Sequence, residues 1–177
     1  MSEISRALED CGALQFGEFT LASGAKSDYY INIKKASTNP QVLYLISQLM
    51  AERMQEENIR PDRIAGIVLG SIPLAAALSM ATGIPYVMVR KEQKDHGTKK
   101  LIEGDMEPGE KVLVVEDVIT TAGSSIQAIG TLRENGAVVE QIISVVDREG
   151  GGKENLAGIG VSLLSLVKGS ELVGGKR

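Results

Sequence analysis

A chain of 177 residues is long enough for one domain with a substantial buried core, and 43% hydrophobic and 24% charged residues are ordinary for a globular protein. A net charge of -4 gives no electrostatic reason to expect a nucleic-acid partner. Apolar stretches are short and broken by Gly or Pro, and the first residues lack a basic region followed by an apolar one, so neither a membrane span nor a secretion signal is expected.

Cys11 is the single cysteine, so no internal disulfide can form and the cytoplasm is the expected compartment. Residues 5–11 read as a short helix, and residues 16–33 as two short strands around residues 23–27. Asn39 followed by Pro40 is a capping residue before a helix-starting proline, and Val42, Leu45, Ile46, Leu49 and Met50 then line one apolar face. Residues 64–69 read as a buried strand, 75–81 as helix, 86–89 and 111–115 as strands, and Ile126, Ile129 and Leu132 as a helix closed by a left-handed Gly136. Residues 138–146 and 161–167 complete the strands, and residues 150–153 read as a flexible turn. This alternation implies an α/β fold, a mostly parallel central sheet flanked by helices, in a single domain spanning 1–177. Residues 1–35 stand outside the alternation and are expected to form a small N-terminal lid.

The chemistry concentrates in residues 112–125. Val112, Leu113, Val114 and Val115 are apolar without alternation, as in a parallel strand covered on both faces. Glu116 and Asp117 follow. Thr120, Thr121, Ala122, Gly123, Ser124 and Ser125 then supply hydroxyls and little bulk just before a helix. A phosphate there gains from unpaired N–H groups and the positive end of the helix dipole. The two carboxylates cannot bind phosphate, because like charges repel, but they can hold sugar hydroxyls or a Mg²⁺ ion that also touches phosphate. Phosphate, vicinal diol and divalent metal together describe a phosphorylated ribose. A plain turn with a Thr cap is the alternative, and it requires neither two acids nor clustered small residues.

Four other segments carry candidate chemistry. Lys26, Ser27, Asp28, Tyr29, Tyr30, Ile31 and Asn32 combine a cation with two aromatic rings, or form an ordinary hairpin. Leu69, Gly70, Ser71, Ile72 and Pro73 follow a strand and open a helix, where small residues let an anion approach the backbone. Arg90, Lys91, Lys94, Lys99 and Lys100, with the single histidine His96 and Gly97, make a basic loop at the sheet end where open α/β folds bind ligands. Arg148, between Asp147 and Glu149 at a strand's carboxyl end, can grip a planar carboxylate with two parallel hydrogen bonds, or serve in a surface ion pair.

Together these segments resemble the type I phosphoribosyltransferases, and among them the orotate-using branch, from about Phe16 to Glu149. The resemblance implies transfer of phosphoribose from phosphoribosyl diphosphate to orotate, yielding orotidine 5′-monophosphate in pyrimidine synthesis. It implies that Arg90, Lys91, Lys94, His96, Glu116, Asp117, Val118, Ile119, Thr120, Thr121, Ala122, Gly123 and Ser124 bind phosphoribosyl diphosphate. Gly70 and Ser71 would form the diphosphate loop, and Lys26, Thr120 and Arg148 would hold orotate. Lys91, Lys94, His96 and Asp117 are the implied catalytic residues. Mg²⁺ would be held mainly by the substrate, with Glu116 and Asp117 as protein candidates. A homodimer is implied, with Lys91 or Lys94 reaching the other subunit's site. Asn32 departs from the family's more usual Asp. The alternatives are a purine or uracil phosphoribosyltransferase, whose base lacks the carboxylate, and a non-catalytic regulator sensing phosphoribosyl diphosphate, which should carry a DNA-binding unit.

Overall fold

The computed structural model describes residues 2–20, 26–90 and 101–174. In chain order the elements are α1 (Glu3–Asp10), β1 (Leu14–Thr20), β2 (Lys26–Ile31), α2 (Ile33–Ser37), α3 (Pro40–Glu56), β3 (Arg63–Ile67), α4 (Ile72–Thr82), β4 (Tyr86–Val89), β5 (Ile102–Glu103), β6 (Lys111–Ile119), α5 (Gly123–Glu134), β7 (Val138–Asp147), α6 (Gly152–Ala157), β8 (Ser162–Lys168) and α7 (Gly169–Gly174). β1 and β2 pair antiparallel as a separate two-stranded sheet. The central sheet has the order β5-β4-β3-β6-β7-β8, parallel except for the short β5 against β4. The expected α/β class, a mostly parallel sheet flanked by helices, is what the chain forms.

The apolar run of β6 explains why the sheet lies inside. Leu113 and Val115 join the core beneath α1, α3 and α4 with Ile4, Leu8, Ile46, Met50, Leu74 and Leu78. Val112 and Val114 turn to the opposite face, where they meet Ala128, Ile129 and Leu132 of α5. A strand buried on both faces has no solvent side, which is why its sequence does not alternate. α3 begins as its sequence dictates: Pro40 occupies the first turn and the Asn39 side chain accepts from the Gln41 and Val42 N–H groups. Gly136, at φ +91°, follows α5 in a conformation that a Cβ would oppose.

Several elements differ from the sequence expectation. The first helix begins at Glu3, capped by Ser2, whose hydroxyl accepts from the Ser5 N–H. β3 stops at Ile67, leaving Val68 and Leu69 in the loop before α4, with the peptide bond between them cis. β6 continues to Ile119, so the acidic pair lies within the strand. Residues 150–153 are more than a turn, because α6 starts at Gly152. The helices α2 and α7 and the two-residue β5 carry too little periodicity to be read from sequence.

Topology sets the position of the site. From β3 the chain crosses through α4 to β4 on one side, and from β6 through α5 to β7 on the other. β3 and β6 are neighbours, so the winding direction reverses between them, and the crevice at their carboxyl ends is where such sheets bind ligands. Pairing of β3 with β6 ends at Gly66–Val115, whereas β7 accompanies β6 as far as Ile119–Asp147. The end of β6 is thus open on the β3 side alone.

Candidate active site

Glu116 and Asp117 occupy that open end and have different surroundings. Glu116 is 7% exposed. The Ser71 hydroxyl donates to its Oε1, and the Ser125 hydroxyl donates to Oε2 at 3.1 Å. The Asp117 N–H also donates to Oε1, at 3.1 Å. Burial pushes the Glu116 carboxyl up to about 7; the Ser71 bond opposes this and the neighbouring Asp117 charge adds to it. Ser71 precedes α4 and Ser125 lies in the first turn of α5, so one buried carboxylate ties together the starts of both helices.

Asp117 is half-buried and lines a cavity of about 310 Å³ with Lys34, Ile67, Val68, Leu69, Gly70, Glu116, Val118 and Ser124. Its Oδ1 accepts from the Val118 N–H at 2.7 Å. The other oxygen packs against Gly70 so closely that a Cβ on that residue would collide with it. At Gly70 the loop therefore meets the acid with backbone alone.

The 120–124 loop closes another wall. Thr120, Thr121, Gly123 and Ser124 are exposed, and Ala122 takes a left-handed φ of +64° at the start of α5. The first N–H groups of α5 have no intrahelical acceptor, so the loop offers an anion both donors and the positive helix end. The loop is braced from behind: the Asn155 amide donates to the Thr121 carbonyl at 3.0 Å, and a Cβ on Gly152 would sit 2.7 Å from the Thr120 carbonyl oxygen. A Cβ on Gly150 would lie equally near the Thr120 side chain. Gly150 and Gly152 are thus small because Thr120 rests on them.

Arg148 follows β7, and its N–H donates to the Ile119 carbonyl at 2.8 Å, which sets it beside the same loop. Its guanidinium lies 5.0 Å from the centroid of the Tyr29 ring, within cation–π range. The backbone around Arg148 is fixed on both sides. The Glu149 N–H donates to Asp147 Oδ1 at 2.8 Å, and the Glu149 carboxylate accepts from the Ser170 N–H at 2.7 Å. That backbone bond holds the Glu149 carboxyl below its ordinary range. Gly169 leaves space for Tyr29, since a Cβ there would approach the phenol oxygen to 2.8 Å.

Other candidates are placed less directly. Lys26 donates to Thr20 Oγ1 at 2.9 Å within the hairpin. Arg90 pairs with Glu103 at 3.2 Å, and its N–H donates to the Leu101 carbonyl, so the residues flanking 91–100 meet. Lys91, Lys94 and His96 lie outside the described residues. Sequence reasoning missed Lys34, the bracing role of Asn155 and Gly152, and the engagement of Ser125 with Glu116. None of these carries a local signal, because each acts through a contact distant in sequence.

A metal fits the acidic pair in a limited way. Among the described residues no group of three or more His, Cys, Asp and Glu side chains converges as a metal cage. Both Glu116 oxygens already accept hydroxyl protons, whereas Asp117 borders the cavity. A hard cation such as Mg²⁺ suits Asp117 with the remaining oxygens drawn from substrate and water.

The chain matches the phosphoribosyl transferase domain over residues 32–163. It is 47% identical over 171 residues to the orotate phosphoribosyltransferase of Methanocaldococcus jannaschii, covering 97% of this chain and 96% of that one. It is 50% identical over 175 residues to the enzyme of the same name from Methanoculleus marisnigri, covering 99% of each. Its fold superposes on the crystal structure of orotate phosphoribosyltransferase from Aeropyrum pernix with a TM-score of 0.88 and 33% identity, over 97% of both chains.

The buried Glu116 has a consequence for stability. Its carboxyl is raised in the folded chain, so the folded state holds the proton more tightly than the unfolded state between the ordinary value of 4.5 and about 7. Stability from this group is therefore greatest at low pH and falls as pH rises through that window, by about 3 kcal/mol if the whole shift is realised. Glu116→Gln removes the ionisation. Urea unfolding at pH 5 and pH 8 should show the wild type losing stability relative to Glu116→Gln as pH rises; parallel pH profiles would contradict the buried assignment.

Proposed function

The chain belongs to the phosphoribosyltransferase family, and we infer that it is the orotate-using kind: it transfers the 5-phosphoribosyl group from phosphoribosyl diphosphate to orotate, giving orotidine 5′-monophosphate and diphosphate for pyrimidine synthesis. The observation that carries this reading is the convergence, at one sheet end, of the acidic pair, the Gly70 loop, the 120–124 loop and Arg148. A sugar phosphate meets the first three, and a planar carboxylate meets the arginine.

The reaction breaks the bond between the ribose anomeric carbon and the diphosphate and forms one from that carbon to the orotate ring nitrogen. Positive charge grows on the sugar and negative charge on the leaving group. Asp117, at the cavity wall, would bind ribose hydroxyls and stabilise the cationic sugar, while Glu116 holds the Ser71 and Ser125 segments around it. The helix start at Gly123 and Ser124 would take the 5′-phosphate. Arg148, oriented by Tyr29, would receive the orotate carboxylate, with Thr120 and Lys26 bordering the base. Mg²⁺ bound by Asp117 and substrate oxygens would neutralise diphosphate charge.

The cations of residues 90–100 supply the leaving group's remaining need. Lys91, Lys94 and His96 would contact the diphosphate on closure, with one lysine reaching the site of a second subunit. Closure would also shield the reactive sugar from water. The homodimer is supported by the family resemblance and by an apolar groove between α3 and α4, where Tyr44 is 67% and Met80 is 88% exposed. No helix among the described residues is long and apolar enough to cross a membrane, and the cytoplasm is the proposed compartment.

The test is consumption of orotate, uracil, hypoxanthine and adenine, each with phosphoribosyl diphosphate and Mg²⁺, followed by ultraviolet absorbance. Orotate alone should be consumed. Arg148→Ala should raise the KM for orotate roughly tenfold to a hundredfold, the loss expected for a charge-assisted carboxylate contact, with little change in phosphoribosyl diphosphate binding. Consumption of another base in place of orotate would overturn the substrate assignment.

A further inference from the structure

The Val68–Ser71 loop contains no cationic side chain, yet it faces the position where a diphosphate would lie. Gly70 cannot be replaced by a lysine or arginine in this arrangement, because even a Cβ would collide with the Asp117 carboxylate. At Gly70 only the backbone can then meet a polyanion that lies beside two acids, so this part of the site gains from positive charge brought in from elsewhere. Another lining residue of the cavity can bring that charge. Lys34 of α2 lines the same cavity as Gly70 and Asp117.

The other described cations near the site are engaged. Arg90 is paired with Glu103, Arg148 lies over Tyr29 and Lys26 donates to Thr20. The Lys34 ammonium has no hydrogen-bond or ion-pair partner among the described residues. Its neighbour Lys35 is directed elsewhere, toward Gly12, where its Nζ would lie 3.7 Å from an added Cβ. The start of the helix is also held in place: the Lys34 carbonyl accepts from the Thr38 N–H at 3.1 Å and from the Thr38 hydroxyl at 2.8 Å.

We propose that Lys34 is a diphosphate-binding residue, supplying from α2 the positive charge that the Gly70 loop cannot carry. The proposal rests on the phosphoribosyltransferase reading and adds to it a residue outside the basic loop of 90–100. A lysine suits this role because its ammonium acts as a flexible point charge on phosphate oxygens. Because it lines the same cavity as Asp117, it also opposes the acid's repulsion of the incoming anion.

Calorimetric titration with inorganic diphosphate in the presence of Mg²⁺, and separately with ribose 5-phosphate, tests the assignment. Lys34→Ala should bind diphosphate about tenfold more weakly or worse, the loss of one charge-assisted contact. Ribose 5-phosphate binding should be unchanged, and Lys34→Arg should keep most of the diphosphate affinity. Lys35→Ala should match the wild type for both ligands. The KM for phosphoribosyl diphosphate should rise in Lys34→Ala while that for orotate stays constant, and circular dichroism should confirm an unchanged fold. An unchanged diphosphate affinity in Lys34→Ala, an equal loss for ribose 5-phosphate, or no diphosphate binding by the wild type would overturn the proposal. Orotate turnover by the wild type reports separately on the enzyme reading, so failure of one is distinguishable from failure of the other.

Discussion

A carboxylate removed from water is costly unless its oxygens find donors, and at Glu116 those donors come from two different loops. Ser71 belongs to the connection leaving β3 and Ser125 to the helix following β6. Neither hydroxyl caps its own helix through a side-chain bond. Each is directed instead to the same acid, which fixes the gap between the two helix starts. In the proposed reading that gap would receive the substrate's sugar, with the diphosphate toward one loop and the 5′-phosphate toward the other. The width of the site is thus set by a buried acid that hardly meets solvent.

The two acids therefore divide the work that their adjacency suggests they share. Successive strand residues point to opposite sides. Glu116 is enclosed among serines, and its carboxyl is raised because burial disfavours its charge. Asp117 is half-buried and borders the cavity, so in the proposed reading it is the acid that would face sugar hydroxyls and a cation. The packing of Gly70 against Asp117 excludes a side chain at that position, and Lys34 of α2 lines the same cavity. Farther along the sheet, α6 and α7 act as buttresses. α6 supports the 120–124 loop through Asn155 and the glycines beneath Thr120, and α7 holds the Arg148 turn through Ser170 and Gly169.

The features legible in the sequence are those with local causes. The cap at Asn39 and Pro40 acts over three residues, and the unbroken apolar run of β6 reports a strand covered on both faces. The crowding of acids, hydroxyls and small residues after it is equally local and points to sugar-phosphate chemistry. What stayed hidden depends on contacts between distant segments. Glu116 and Ser71 are 45 residues apart, and no spacing rule connects them. The glycines at 150–152 resemble a loose turn because glycine is common in turns; the constraint on Gly150 and Gly152 is the packing of Thr120. Lys34 follows an aromatic segment with no motif of its own, and only its place in the cavity lining draws attention to it. The sequence pattern of β6 breaks off before Glu116 because charged residues are rare in a buried strand; here two serines make that one tolerable.

If one carboxylate joins the two loops, removing either serine should loosen both. The most direct measurement is therefore a double-mutant cycle of Ser71→Ala and Ser125→Ala, read as binding of phosphoribosyl diphosphate with the fold verified. Two hydroxyls acting on one acid should give non-additive losses, with a coupling energy of about 1 kcal/mol or more. Strictly additive losses would mean that the loops are held independently, and would contradict the central role given to Glu116.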